Sequence, residues 1–445
     1  MAVSQGKSSG MLEDLFKLNS RNTTVSTEVM AGITTFMTMS YIIFVNPAIL
    51  ADAGVPQAGA TTATIIGAAL MCILMGLVTN YPLALASGMG LNAFLAYGVI
   101  IGRSLPWQTG MLIIFIEGVI VTLLVLTNVR EHIMNAIPMD IKRAIGAGIG
   151  LFITLIGLMN SGLVVISDGL PAFGDIRDPG TLLATIGLLF TAVLVARRVH
   201  GALFIGIIVS TLLGMLPWIG ATQLPPIGSW ISLNLDFSTF GGALSKTAFS
   251  GFSLGLTGII FAFLLSDFFD TMGTVISVGG QAGLVDKEGR LPGLRNVLFI
   301  DSIAAAIGGL FGASSITTYV ESASGVSVGG RTGLTSVVAG LFFLLALLFI
   351  PLIGAVPGQA TAPALVIVGF LMMTVAKEIE WDNASTAIPA FLTLAGIPLT
   401  YSIADGIGMG ILGYIIIQLF AGNGKKMHPL LYIVGALFVV HFLLK

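Results

Sequence analysis

The sequence predicts an all-α polytopic membrane protein with fourteen spanning segments, arranged as two inverted repeats of seven. Three observations predict it. Apolar residues make up 56% of the 445 positions and Asp, Glu, Lys and Arg only 9%, with a mean hydropathy of +1.01. A soluble domain carries about 25% charged residues because its surface faces water. The apolar residues also fall into stretches near the roughly 20 needed to cross about 30 Å of hydrocarbon. Finally, the basic residues between these stretches concentrate on alternate connections, as positive-inside bias requires. The same composition excludes an aqueous enzyme, a nucleic-acid binder and a secreted module. A net charge of −2 offers no basic footprint for nucleic acid. Cys72 stands alone, and His132, His200, His428 and His441 are scattered, so no disulfide framework, metal site or cofactor is expected.

In chain order, residues 1–28 are polar and lack an apolar core, so a cytoplasmic N-terminal segment without a cleaved signal peptide is expected. Segments 1 to 7 lie near 29–50, 60–79, 84–101, 109–127, 142–160, 181–196 and 201–219. A polar, Pro-containing stretch within 221–250 reads as an extracellular linker. Segments 8 to 14 follow near 253–279, 296–312, 314–329, 333–352, 361–376, 386–402 and 404–421. A further apolar stretch, 430–444, has the length to span, re-enter or lie in the interface.

Charge counting tests this order. With the N-terminus inside, cytoplasmic segments hold Lys7, Lys17, Arg21, Arg130, Lys142, Arg143, Arg197, Arg198, Lys287, Arg290, Arg295, Arg331, Lys377, Lys425 and Lys426. The outside holds only Arg103, Arg177 and Lys246. One missed span would scramble this asymmetry. Because seven is odd, the second half enters the membrane from the opposite side to the first, which is the signature of an inverted repeat.

The third segment of each half is unlike a lipid-facing helix. Segment 3 places Ser87, Gly88, Gly90 and Asn92 at membrane depth, and segment 10 carries Ser314, Ser315, Thr317, Thr318, Glu321, Ser322 and Ser324 within Gly312–Gly325. Backbone that leaves the helix inside a bilayer survives only against protein or a water-filled cavity. Interrupted segments at corresponding positions of two halves point to a transport site. The plainer alternative is a pair of Gly-rich packing helices.

Acids inside spans are costly, about 2.5–3.5 kcal/mol at mid-bilayer, and persist when paired, protonated or facing water. They are Glu117, Asp267, Asp270, Asp301 and Glu321, with Asp405 at a junction. Asp267 and Asp270 are three residues apart and so share a helix face. Two carboxylates crowded in a low dielectric suit a proton carrier. Each acid has a bland alternative, as a helix cap, a hydroxyl acceptor or a helix bridge. Gly325–Thr332 imitates P-loop spacing with Arg331 where Lys belongs, but no strand and helix of an aqueous domain surround it. Trp107, Trp218, Trp230 and Trp381 fall near expected interfaces, as an aromatic belt.

At these positions the chain resembles the nucleobase–cation symporter-2 family (the xanthine/uracil permease superfamily), in the branch of hypoxanthine, guanine and adenine permeases. The resemblance covers nearly the whole chain. It rests on Thr34–Pro47 (TTFMTMSYIIFVNP), Gly88–Phe94 (GMGLNAF), Phe269–Thr274 (FDTMGT), Thr318–Gly325 (TYVESASG) and Gly330–Thr335 (GRTGLT). It implies a core domain from 29–127 and 251–352, a gate domain from 128–220 and 353–421, a C-terminal segment 422–445, and short strands in segments 3 and 10. It implies a substrate site from Asp270, Glu321, Tyr319, Thr318, Ser322, Gly88, Met89, Asn92 and Phe94, with Asp301 serving coupling. Asp267, Asp270 and Glu321 are further candidates to carry the proton, and the alignment can slip between Asp267 and Asp270. It also implies a homodimer in the cell membrane.

The expected function is therefore import of purine nucleobases, hypoxanthine and guanine foremost, by proton symport through an elevator motion. The chemistry agrees, since a carboxylate can accept two purine N–H groups side by side. Alternatives are an adenine-preferring permease and an anion transporter of the same architecture; an acid at position 321 disfavours the latter. A channel would need a continuous pore, often with repeated charged rings, and no nucleophile–base pair marks an enzyme.

Overall fold

A computed structural model describes residues 10–127, 136–167, 169–285 and 291–443. It is an all-α membrane protein. Among the described residues, ten helices are long and apolar enough to cross a membrane, and shorter apolar helices accompany them. Each of the fourteen expected segments has a counterpart. Of the basic residues counted above, Lys7, Arg130, Lys287 and Arg290 lie outside the described residues, as does His132.

Segment 1 starts earlier than expected and is broken. Thr24 caps Val25–Met39, its side chain accepting from the Thr27 N–H at 3.2 Å, and a second helix runs Ile42–Asp52. At the joint, the Ile43 and Phe44 N–H groups bond the Ser40 and Tyr41 carbonyls, each at 3.1 Å. These are i→i+3 bonds, the tighter turn that often marks a break in a helix. Pro47 follows inside the second helix, with no N–H of its own to give. Segment 2 is Gln57–Thr79, closed by Asn80 in the left-handed region. Segments 4, 5 and 6 are Trp107–Leu126, Met139–Asn160 and Pro179–Ala196. Segment 7, Ala202–Leu213, is shorter than the apolar stretch suggested, because Gly214 and Pro217 end it. In the second half, Thr257–Gln281, Leu294–Phe311, Gly333–Ile353, Gly358–Glu378, Ala384–Thr400 and Ile403–Phe420 supply segments 8, 9, 11, 12, 13 and 14.

Segments 3 and 10 are interrupted. Segment 3 is a strand, Leu85–Ser87, followed by the helix Met89–Ala93 and a π-helical stretch Phe94–Ile101. Segment 10 is a strand, Ile316–Thr318, followed after a turn by Ser322–Ser327. The two strands pair antiparallel, Leu85 opposite Thr318 and Ser87 opposite Ile316. All six strand residues are buried. Pairing with each other satisfies backbone groups that neither lipid nor a helix could serve.

The helices pack most densely in two groups. Segments 1, 2, 4, 9 and 11 contact one another, and segments 5, 6, 7, 12, 13 and 14 form the second set. Close approach depends on glycine: a Cβ on Gly333 would lie 1.9 Å from the Gly76 carbonyl oxygen, so segments 2 and 11 meet backbone to backbone. The apolar stretch 430–444 is the helix Pro429–Leu443, which returns beside segment 14. His441, near its end, meets Asp405, near the start of segment 14, at 3.1 Å. Fifteen residues rise about 22 Å, short of the hydrocarbon thickness.

The candidate substrate site

Between the paired strands and segments 1, 8 and 9 lies a cluster of hydroxyls and carboxylates. The strand pairing continues past the strand ends: the Gly88 N–H donates to the Ser315 carbonyl at 2.8 Å and the Tyr319 N–H to the Ala84 carbonyl at 2.9 Å. The Tyr319 hydroxyl donates to the Ser87 carbonyl, and the Ala84 N–H donates to Ser322 Oγ at 3.0 Å. These bonds fix the loop Tyr319–Glu321 over the mouth of segment 3.

The acids in this region differ sharply in environment. Asp301 is fully buried and accepts from the Thr271 hydroxyl at 2.6 Å, the Thr318 N–H at 2.9 Å and the Thr318 hydroxyl at 2.7 Å. Thr317 adds a longer bond at 3.4 Å and also sits 3.0 Å from the Thr271 hydroxyl. One carboxylate thus joins segments 8, 9 and 10. Asp267 is fully buried, whereas Asp270, three residues on, is accessible. Its neighbours Leu264, Leu265, Ser266 and Phe268 are buried. A carboxylate within a span is tolerated where it is paired, protonated or turned toward water rather than lipid. Asp301, Glu321, Tyr319 and Tyr41 are near enough to interact with Asp270 electrostatically. No hydrogen bond reaches the Asp270 carboxylate from the described residues. Glu321 is partly buried and accepts from the Tyr41 hydroxyl at 2.6 Å.

The structure therefore brings Asp270, Tyr319 and Glu321 within electrostatic reach of one another, with Gly88 bonded beside the strands. Other residues expected near the substrate have partners within the protein. Thr318 is occupied by Asp301, and Ser322 by the Ala84 N–H. Asn92 is fully buried and donates to Asn46 Oδ1 at 2.5 Å; Asn46 in turn donates to Thr64 Oγ1 at 2.7 Å and to the Ala313 carbonyl at 3.0 Å. Phe94 is buried with its ring 4.7 Å from that of Phe263. Glu117 is buried on segment 4, which packs against segments 8 and 9, and Asp405 bonds the C-terminal helix.

Three contributors were not singled out from sequence. Tyr41 lay inside the TTFMTMSYIIFVNP stretch, and only folding brings it to Glu321, 280 positions away. Thr271 follows Asp270 directly and serves Asp301 instead. Glu28, at the foot of segment 1, is fully buried and accepts from the Arg331 N–H at 2.8 Å, the Thr332 N–H at 3.2 Å and the Thr335 hydroxyl at 2.6 Å. The P-loop-like stretch thus leads into a helix N-terminus, and the anion it receives is an internal carboxylate.

Comparison with known proteins places these features. The profile of the permease family matches residues 26–409. The adenine permease AdeP of Escherichia coli is 41% identical, covering 98% of this chain and 97% of its own length. The guanine/hypoxanthine permease PbuG of Bacillus subtilis is also 41% identical, covering 97% of this chain and 99% of its own. The transmembrane domain of a cyanobacterium bicarbonate transporter, BicA, shares the fold, with a TM-score of 0.59 at 13% identity over 89% of this chain and 97% of that one.

Proposed function

We propose, from the premise that this chain belongs to the permease family, that it carries purine nucleobases across the cell membrane by proton symport with elevator-type alternating access. A permease is a transporter, not an enzyme, and the site needs only to bind, enclose and release. The observation that carries the reading is the accessible carboxylate of Asp270 within electrostatic reach of Glu321, Tyr319 and Tyr41. Purine edges present N–H donors, and charge-assisted bonds to carboxylates are the strong ones. Leaving such a donor unpaired in a dry site costs about 1–3 kcal/mol, which makes the site selective.

In this reading Asp270 and Glu321 accept from the base, Tyr319 walls it, and Gly88, Met89 and Phe94 lie alongside. Thr318, Ser322 and Asn92 hold the frame rather than the ligand. Asp301 serves coupling by tying segments 8, 9 and 10 together, and the proton is carried within the set Asp267, Asp270, Asp301 and Glu321. The relatives named for adenine and for guanine/hypoxanthine are equally similar to this chain, so hypoxanthine and guanine remain the first substrates to test and adenine the alternative. The fold is shared with a bicarbonate transporter, but two acids at the site disfavour an anion.

The two packed groups of helices suggest the moving parts, a core from segments 1–4 and 8–11 and a gate from segments 5–7 and 12–14. A polar bridge crosses this boundary: the Tyr97 hydroxyl donates to Asp52 at 2.6 Å, and Asn160 of segment 5 donates to Tyr97 at 2.9 Å and Asp52 at 3.5 Å. A cavity of about 220 Å³ adjoins it, lined by Asp52, Asn160, Gln359 and Thr361. We place the N-terminus in the cytoplasm and expect a homodimer.

The test is radiolabelled uptake in cells lacking their own purine permeases, with hypoxanthine, guanine, adenine, xanthine and uracil as competitors. Uptake of hypoxanthine and guanine that a protonophore abolishes is the expected result. Sodium-dependent uptake that resists the protonophore would sink proton coupling.

A further inference from the structure

We infer that Tyr41 is a positioning residue that sets purine selectivity by engaging one oxygen of Glu321; the inference rests on the purine reading above. Tyr41 is 1% exposed, so its ring has no freedom to swing away. Its hydroxyl reaches Glu321 Oε1 at 2.6 Å, within the range of a charge-assisted O–H···O⁻ bond.

The residue stands at the break of segment 1, and that segment is held on both sides. Below the break, Glu28 clasps the start of segment 11. Above it, Asp52 accepts from Tyr97. The tight turn at Ser40–Tyr41 is therefore a fixed post, and the hydroxyl on it orients a carboxylate that belongs to the other half of the chain. Without that bond Glu321 could rotate about its own side-chain torsions. With it, Oε1 is held to a fixed donor, and less of the carboxylate's acceptor capacity is left for a ligand.

A carboxylate with both oxygens free pairs best with two adjacent N–H donors, as on the N1–H and 2-amino edge of guanine. A carboxylate presenting one strong oxygen serves the single N1–H of hypoxanthine almost as well. Tyr41 thus narrows the difference between the two bases. Removing its hydroxyl should widen it.

The experiment is equilibrium binding of guanine and hypoxanthine to the purified full-length protein, comparing the parent, Tyr41→Phe, Glu321→Gln and the double variant. The ratio of the two affinities in one sample does not depend on how much of that sample is folded. We expect Tyr41→Phe to shift the ratio toward guanine by about threefold to tenfold, the worth of one additional hydrogen bond. In the Glu321→Gln background the same change should leave the ratio where it was, since residues acting through one another are not additive. A parent that binds both bases, with a ratio that Tyr41→Phe leaves unmoved or moves equally in both backgrounds, overturns the inference alone. A parent that binds neither base overturns the purine reading and this inference with it.

Discussion

Asp301 accepts two hydrogen bonds from a single residue, the backbone N–H of Thr318 at 2.9 Å and its side-chain hydroxyl at 2.7 Å. The pair fixes the last residue of one short strand to segment 9, and the Thr271 hydroxyl extends the bond to segment 8. A strand of three residues has little stability of its own. Here an acid from a neighbouring helix supplies what strand length does not.

The first prediction follows from that geometry. Asp301→Asn keeps one acceptor oxygen but turns an amide toward groups that donate, so the variant should lose about 1–3 kcal/mol of stability. Active accumulation should fall while the order of competing bases stays as in the parent. Uptake and competition assays together check this; a reordered ligand series would show that Asp301 reads the base.

Glu321→Gln removes charge at the accessible site while keeping size. Charge-assisted bonds are worth about 1.5–3 kcal/mol, so guanine affinity should fall about tenfold to 150-fold. The loss should be smaller for a base that offers acceptors at the same edge. Binding to purified protein decides it, and parent-like guanine affinity in this variant would remove Glu321 from the site.

Glu28→Ala should act on stability and not on recognition. It leaves the N–H groups of Arg331 and Thr332 and the Thr335 hydroxyl without their common acceptor at the start of segment 11, at a cost of about 1–3 kcal/mol for each group left buried and unpaired. The thermal midpoint of the detergent-purified protein should drop, with the relative affinities of competing bases unchanged. A changed ligand order with an unchanged midpoint would contradict this role.

Orientation is checked by cysteine labelling. Single cysteines at Arg103, Arg197 or Lys246 would be introduced in a Cys72→Ser background, a serine being chosen because Cys72 is buried and bonds the Leu85 carbonyl. An impermeant reagent applied to intact cells should label positions 103 and 246 and spare 197. Labelling at 197 with none at 246 would invert the arrangement.

The sequence alone determined the membrane class, the order of segments and the two places where a spanning helix is interrupted. Lipid imposes its demands along the chain: a span needs an unbroken apolar stretch, a loop shows its charges, and an interruption such as Ser87-Gly88 or Thr317-Thr318 stands out because hydrocarbon would not tolerate it. Only the tertiary structure decided what each polar residue does. Asp267 and Asp270 are the same residue type on one helix face, yet one is buried and the other accessible. Asn92, Thr318 and Ser322, expected near the base, are bonded to Asn46, Asp301 and Ala84. Tyr41 meets Glu321 across 280 residues of chain. Such roles depend on which donors and acceptors packing brings within about 3 Å, a distance between segments that hydropathy and spacing along the chain do not carry.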